Sequence, residues 1–254
     1  GGTFGVVTFQ TQKKTNLKCA VKKTKNPLSD DESKHTFNRE VQIFATHHHP
    51  AIVKFIGYTI GKDNFGYIYL EEAENGSIAS YLDGIRQKPP TAKPLSVTNK
   101  YILSYGIALA MQYLHQNKCV HRDLKVENVL LDDKLRPLVT DFGISKSLSE
   151  INLSSSMSAK LQGAPKIFAP ELIEDVDKYK DTLPIDVYSY AVTLFEIWSE
   201  QKIYTGMTQF KLFTYISGGN RAEIPKNVPK IWKELITECW SQDPENRPTF
   251  DDIV

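Results

Sequence analysis

Cysteine is scarce: three residues in 254, Cys19, Cys119 and Cys239, odd in number and widely separated. They make no disulfide framework, so a reducing, cytoplasmic setting is expected. Long apolar runs are absent too. No stretch approaches the roughly 20 residues of a membrane-spanning helix, and no secretory leader is visible. Charge of one sign is not in excess: 31 Lys/Arg against 30 Asp/Glu leave a formal charge of +1, which argues against a dedicated nucleic-acid binder. There is no internal repeat, and the richest low-complexity stretch is Ser154-Ser155-Ser156-Met157-Ser158. A starting Met is missing. The chain opens inside a Gly-rich turn and stops in the helix-like Asp251-Asp252-Ile253-Val254, so the expectation is a domain taken from something longer.

What is present is a normal globular composition, 41% apolar, enough for a buried core in one large domain or two lobes. Charge is uneven along it: residues 1–70 carry 10 Lys/Arg and 5 Asp/Glu. Such a bias suits a polyphosphate, although solvated surface lysines produce it as well. Short β-rich runs at 6–9 and 17–22 flank a polar stretch, a hairpin pattern. Residues 30–45 have helical spacing, with Phe37, Val41 and Phe44 on one face. Strands are predicted at 52–60 and 67–70. Past residue 74 the periodicity is mostly helical: 78–87, 96–117, 184–199, 210–217 and 231–240, with two short strands at 129–131 and 138–139. A small β-rich lobe and a larger helical lobe follow, with a cleft between them as a natural ligand site.

Most of the chemistry sits in His121-Arg122-Asp123-Leu124-Lys125-Val126-Glu127-Asn128, followed by Asp141-Phe142-Gly143. The spacing suits a loop, a strand pair and a second loop that bring Asp123, Asn128 and Asp141 together. Such a cluster can hold magnesium on a nucleotide and accept a proton from a hydroxyl. Asp123 would then orient the hydroxyl, Lys125 steady the transferring phosphoryl group, and Asn128 and Asp141 hold the metal. A turn with Asx hydrogen bonds explains one such residue, not the ordered set.

The weaker signals have ordinary readings beside the chemical ones. Gly2-Thr3-Phe4-Gly5-Val6-Val7 is the back half of a G-x-G-x-x-G-x-V pattern, which lets backbone N–H groups approach phosphates; Gly-rich turns between strands are also common. Lys22, in Ala20-Val21-Lys22, is a surface lysine if taken alone and a phosphate-holding ammonium if Glu40 on the next helix fixes it. Glu40 without Lys22 is an exposed helix carboxylate. Arg122 suits bidentate binding of a phosphoserine or a plain surface ion pair. His121 reads as a packed structural histidine. His47-His48-His49 is not a metal site, since adjacent histidines point in different directions.

In this order the residues resemble the eukaryotic protein kinase family over nearly the whole chain. The resemblance implies an α+β, bilobal protein kinase fold: a small β-rich N-lobe with one main helix, residues 1–73 including the start of the hinge, and a larger mostly helical C-lobe, residues 74–254. It implies a glycine loop at Gly2, Gly5 and Val7, a Lys22–Glu40 pair, a catalytic loop from Asp123 to Asn128, and metal binding by Asn128 and Asp141. Val7 and Ala20 would cover an adenine ring from above and Leu130 from below. Backbone groups of Glu71 and Ala73 would bond the base, and Leu70 would guard a deeper pocket. Phe44, Phe55, His121 and Phe142 fall where the family stacks a regulatory hydrophobic column. Glu171 of Ala169-Pro170-Glu171 would pair with Arg247, and Asp186 would brace the catalytic loop.

ATP and Mg2+ are the implied cofactors, and the implied partner is a protein bearing a Ser/Thr hydroxyl. Lys125 resembles the Ser/Thr form of the catalytic loop. Cys239-Trp240, Asp243-Pro244 and Arg247-Pro248-Thr249-Phe250 resemble tyrosine-kinase-like Ser/Thr kinases. Two positions depart from the pattern: Ala164, where Ser/Thr kinases usually carry a threonine, and Ile167, where an aromatic is usual. The expectation is an ATP-dependent protein serine/threonine kinase whose serine cluster, Ser154, Ser155, Ser156 and Ser158, is a regulatory phosphorylation site. The alternatives are a pseudokinase scaffold that binds nucleotide or a partner protein, and a dual-specificity or tyrosine kinase. Small-molecule phosphotransferases lack the Ala169-Pro170-Glu171 segment and its arginine.

Overall fold

The computed structural model describes residues 6–11, 16–142, 146–147, 164–179 and 182–254. Four β-rich runs, β1 (Val6–Thr11), β2 (Lys18–Lys23), β3 (Phe55–Ile60) and β4 (Gly66–Glu71), form one antiparallel sheet in the order β1-β2-β4-β3. The register sets Ala20 opposite Leu70 and Lys22 opposite Ile68. Side chains alternate along a strand, so these four share one face. Helix α1 (Asp31–Thr46) packs there through Phe37, Val41 and Phe44, all buried. It starts where Asp30 caps it: Asp30 accepts from the Ser33 N–H at 2.7 Å, and Asp31 and Glu32 complement the positive end of the helix.

The remaining elements are α2 (Ile78–Arg86), α3 (Val97–Gln116), β5 (Cys119–Val120), β6 (Val129–Leu131), β7 (Pro137–Val139), β8 (Lys146–Ser147), α4 (Pro170–Glu174), α5 (Val176–Tyr179), α6 (Pro184–Ser199), α7 (Gln209–Ser217), α8 (Lys230–Cys239) and α9 (Phe250–Ile253). Single 3-10 turns occupy Val126–Asn128, Pro165–Ile167 and Pro244–Asn246. This is the bilobal kinase architecture, a sheet lobe with one main helix and a helical lobe. Helix α6 is its centre: every residue from Ile185 to Ser199 is buried, mostly apolar side chains together with the paired Asp186 and Glu196. No helix among the described residues is long and apolar enough to cross a membrane.

One predicted element needs correction. A strand over 52–60 runs on as a single apolar stretch in sequence, but the ladder begins only at Phe55. Residues before it pair elsewhere: Val139 donates to the Ala51 carbonyl at 2.8 Å and Val53 donates to the Val139 carbonyl at 3.0 Å. The segment therefore ties the sheet lobe to β7. A ring column makes a second tie. Phe44 stacks on Phe55 at 6.2 Å between centroids and meets Phe142 edge-on at 4.9 Å, and Phe142 lies 5.2 Å from His121. A third tie is the segment after β4, where Asn75 N–H donates to Leu131 and Leu131 N–H donates to Gly76, which fixes β6 beneath the sheet.

Candidate functional site

These ties enclose a cavity of about 560 Å³ between the lobes. Val7, Phe9, Ala20, Lys22 and Leu70 line it from the sheet, and Glu71, Ala73, Gly76 and Ser77 from the linking segment. Lys125, Glu127, Asn128, Leu130, Thr140, Asp141 and Ala164 line it from the helical lobe. Val7 and Ala20 thus lie across the cavity from Leu130. The N–H of Glu71 is committed to the Lys54 carbonyl at 2.9 Å, whereas the N–H of Ala73 has no partner among the described residues. Gly2, Gly5, Gly143 and the serines 154, 155, 156 and 158 lie outside the described residues.

Strand β2 carries Lys22 to the cavity wall, where its ammonium meets two carboxylates. Nζ lies 2.5 Å from Glu40 Oε1 and 2.7 Å from Asp141 Oδ1. Two residues 18 and 119 positions away are thereby joined on one cation. Burial works against the charged lysine, but Glu40 and Asp141 together hold it above the ordinary lysine value. Asp141 is drawn the other way: burial raises it, and the Lys22 charge and hydrogen bond bring it below the usual aspartate value. Glu40 is pushed up by burial, Lys22 opposes that, and the nearby Asp141 adds to it.

The loop between β5 and the turn Val126–Asn128 gathers the second group. Asp123 is buried, and its Oδ2 accepts from Lys125 Nζ at 2.6 Å and from Asn128 Nδ2 at 2.8 Å. Asn128 Nδ2 also donates to the Asp123 carbonyl at 2.8 Å. Asp123 Oδ1 has no hydrogen-bond partner among the described residues. A buried carboxylate oxygen left unpaired is costly unless something else supplies a donor. Ala164, at the edge of the same cavity, has no hydroxyl to offer.

Asp186, at the start of α6, holds the loop from below. Its carboxylate accepts from the backbone N–H of His121 at 2.7 Å and of Arg122 at 2.8 Å, and His115 Nε2 lies 3.0 Å away. Arg122 and Asp141 both adopt left-handed backbone angles, φ 68° and 67°. Non-glycine residues keep such angles only where the surroundings over-determine them. Asp186 supplies that constraint at Arg122. The Asp123 N–H donates to His121 Nδ1, so the His121 proton sits on Nε2 and donates to the Thr140 carbonyl at 3.1 Å. Burial lowers the Arg122 guanidinium to about 10, with Asp186 raising it and Arg39 adding to the fall.

Further out, Arg247 grips Glu171 with two parallel bonds of 2.7 Å, both groups buried. The same guanidinium donates to the Ser241 and Pro184 carbonyls at 3.0 Å each. That joins α4, the start of α6 and the C-terminal turn. Ile167 is buried in the core beside α4.

A magnesium ion fits the donor set. Asn128 spends its amide hydrogens on Asp123 and keeps its oxygen, while Asp141 gives one oxygen to Lys22 and keeps the other. One carboxylate and one neutral oxygen could hold magnesium together with phosphate oxygens, and they do not make an all-protein cage. No cluster of three or more His, Cys, Asp or Glu exists among the described residues.

Sequence reasoning missed several participants. His115 showed only as a residue of a helical pattern, since nothing local links it to Asp186. Lys166, whose ammonium pairs with both Glu127 and Glu196 near the cavity, comes from a separate element, and neither it nor Glu196 gave a local signal. Phe9 and Thr140 line the cavity without any motif.

A family model described as "Protein tyrosine and serine/threonine kinase" matches residues 1–254. RGS domain-containing serine/threonine-protein kinase A of Dictyostelium discoideum is 32% identical over 86% of this chain and 18% of its own length. Serine/threonine/tyrosine-protein kinase HT1 of Arabidopsis thaliana is 31% identical over 92% of this chain and 58% of its own. Proto-oncogene tyrosine-protein kinase ROS of Gallus gallus is 29% identical over 91% of this chain and 10% of its own. The chain thus spans less than two thirds of the length of each of these relatives. With a whole-length match and a lysine, two carboxylates and a catalytic-type loop drawn around one interlobe cavity, the chain belongs to the protein tyrosine and serine/threonine kinase family.

Proposed function

We propose that this chain is a catalytic domain, dividing near Ala73 and Glu74, that transfers the terminal phosphoryl group of ATP to a serine or threonine hydroxyl of a protein. The observation that carries the reading is the buried Asp123 Oδ1, without a hydrogen-bond partner among the described residues, beside Lys125 and Asn128 on the same cavity as the Lys22–Asp141 contact. In this reading Asp123 Oδ1 accepts the proton of the acceptor hydroxyl as its oxygen bonds to the terminal phosphorus. The bond from that phosphorus to the bridging oxygen breaks, and ADP leaves. Lys125 and Lys22 offset negative charge on the phosphoryl oxygens, and Glu40 keeps Lys22 in place. Asn128 and Asp141 would hold magnesium, whose chemistry is to neutralise phosphate charge. Val7, Ala20 and Leu130 would sandwich the base, with Glu71 and Ala73 backbone groups at its edge. Gly2 and Gly5 would cover the phosphates. Positioning supplies up to roughly 7–11 kcal/mol of such a barrier.

Lys125 on Asp123 supports a Ser/Thr acceptor, as do relatives named serine/threonine kinases. Tyrosine acceptance is a second reading, favoured by Ala164, which lacks a hydroxyl, and by the names of other relatives. Peptides identical except for Ser, Thr or Tyr at the acceptor, followed by phosphoamino-acid identification, decide between them. Phosphate on tyrosine alone would defeat the Ser/Thr reading. Phosphorylation of Ser154, Ser155, Ser156 or Ser158 is the proposed regulation; an unchanged rate after phosphatase treatment would refute it.

A further inference from the structure

Lys166 sits in the turn Pro165–Ile167, between Ala164 at the cavity edge and helix α4. Its ammonium holds two carboxylates at once: Glu127 Oε1 at 2.9 Å, and Glu196 Oε2 and Oε1 at 3.0 and 3.2 Å. The two acids differ in surroundings. The Glu196 side chain is 3% exposed on α6, and its Oε1 also accepts from the Ile203 N–H at 3.0 Å. The Glu127 side chain is 46% exposed and lines the cavity, four positions after Asp123 and next to Asn128. Two carboxylates around one cation leave one negative charge in excess. They form a cation site beside the catalytic loop, and the chain's own lysine fills it.

An acceptor segment that brings a hydroxyl to Asp123 runs past Glu127. Without Lys166, Glu127 and Glu196 would present two carboxylates to that segment, a pair that a planar guanidinium matches with parallel charge-assisted bonds. With Lys166 in place one of the two negative charges is offset and Glu127 is pinned. We propose that Lys166 is a specificity-determining residue: by filling this two-carboxylate site it makes the enzyme indifferent to arginine near the acceptor hydroxyl, and its removal opens the site to an arginine of the acceptor peptide. The inference rests on the protein-kinase reading above and adds a selectivity rule to it.

The test uses the full chain with fluorescent serine peptides in which arginine replaces alanine at each flanking position in turn. Binding is read by anisotropy, and turnover with MgATP is read as kcat/KM. Wild type should treat the arginine and alanine peptides alike, within about twofold. Lys166→Met should gain roughly tenfold in affinity and in kcat/KM for arginine at one or two positions. Lys166→Met leaves buried Glu196 without its cation, so Lys166→Met/Glu196→Gln is run beside it. That variant keeps the accessible carboxylate and should retain about a threefold preference. Lys166→Met/Glu127→Gln should lose the preference. A flat arginine profile in folded Lys166→Met and in Lys166→Met/Glu196→Gln would overturn the proposal, as would a preference already present in wild type or one that survives Glu127→Gln. If wild type phosphorylates no peptide, the functional reading fails, while the anisotropy comparison still decides the subsite.

Discussion

Arg247→Met removes both 2.7 Å bonds to Glu171 and leaves that carboxylate buried with no cation beside it. Breaking a buried ion pair from one side costs about 3–5 kcal/mol, because the surviving charge stays desolvated. The Ser241 and Pro184 carbonyls lose a charged donor as well. A cost of about 4 kcal/mol is a large part of the roughly 5–15 kcal/mol that holds a domain together. At about 2–4 °C per kcal/mol for a chain of this size, the unfolding midpoint should fall by about 8–16 °C. Thermal unfolding followed by circular dichroism measures it. Glu171→Gln/Arg247→Met, which removes the stranded charge, should recover about half of the loss, a non-additivity diagnostic of direct coupling. A single variant that melts within about 2 °C of wild type would refute the reasoning. So would a double variant no better than the single one.

Two further outcomes follow from the site. Burial pushes the Asp186 carboxyl up, yet the hydrogen bond and charge at His115 and the backbone N–H of His121 hold it below its ordinary 3.8. A carboxylate depressed in the native state stabilises fully above 3.8 and loses that contribution as pH falls through its native value. Wild type should therefore lose urea resistance below about pH 3.8 more steeply than Asp186→Asn does; parallel curves would contradict this. Lys22→Met takes the shared cation from Glu40 and Asp141, and phosphoryl transfer should fall by at least about a hundredfold with the far-UV spectrum unchanged. A loss under tenfold would remove Lys22 from the reaction.

Helices α1, α3, α6 and α8 were legible because their apolar spacing runs for ten residues or more. The two-residue strands β5 and β8 and the short helices α4 and α5 were not, since so few residues carry no period. The break between Val53 and Phe55 was hidden inside one apolar run, because what ends the strand is a competing partner, Val139, far away in sequence. The site divides along the same line. Asp123, Lys125 and Asn128 lie within six residues, and their spacing announces them. Lys22, Glu40 and Asp141 needed the motif order to be linked. His115, Lys166 and Glu196 act through contacts across 30 to 71 positions, for which no local pattern exists.

Asp123→Asn tests the central claim most directly, because it keeps the size of the side chain and removes the proton acceptor at Oδ1. Transfer of radiolabelled phosphate from ATP to a serine peptide should fall by about a hundredfold to ten-thousandfold, with nucleotide affinity retained. A purified Asp123→Asn variant that transfers phosphate at the wild-type rate would contradict the account.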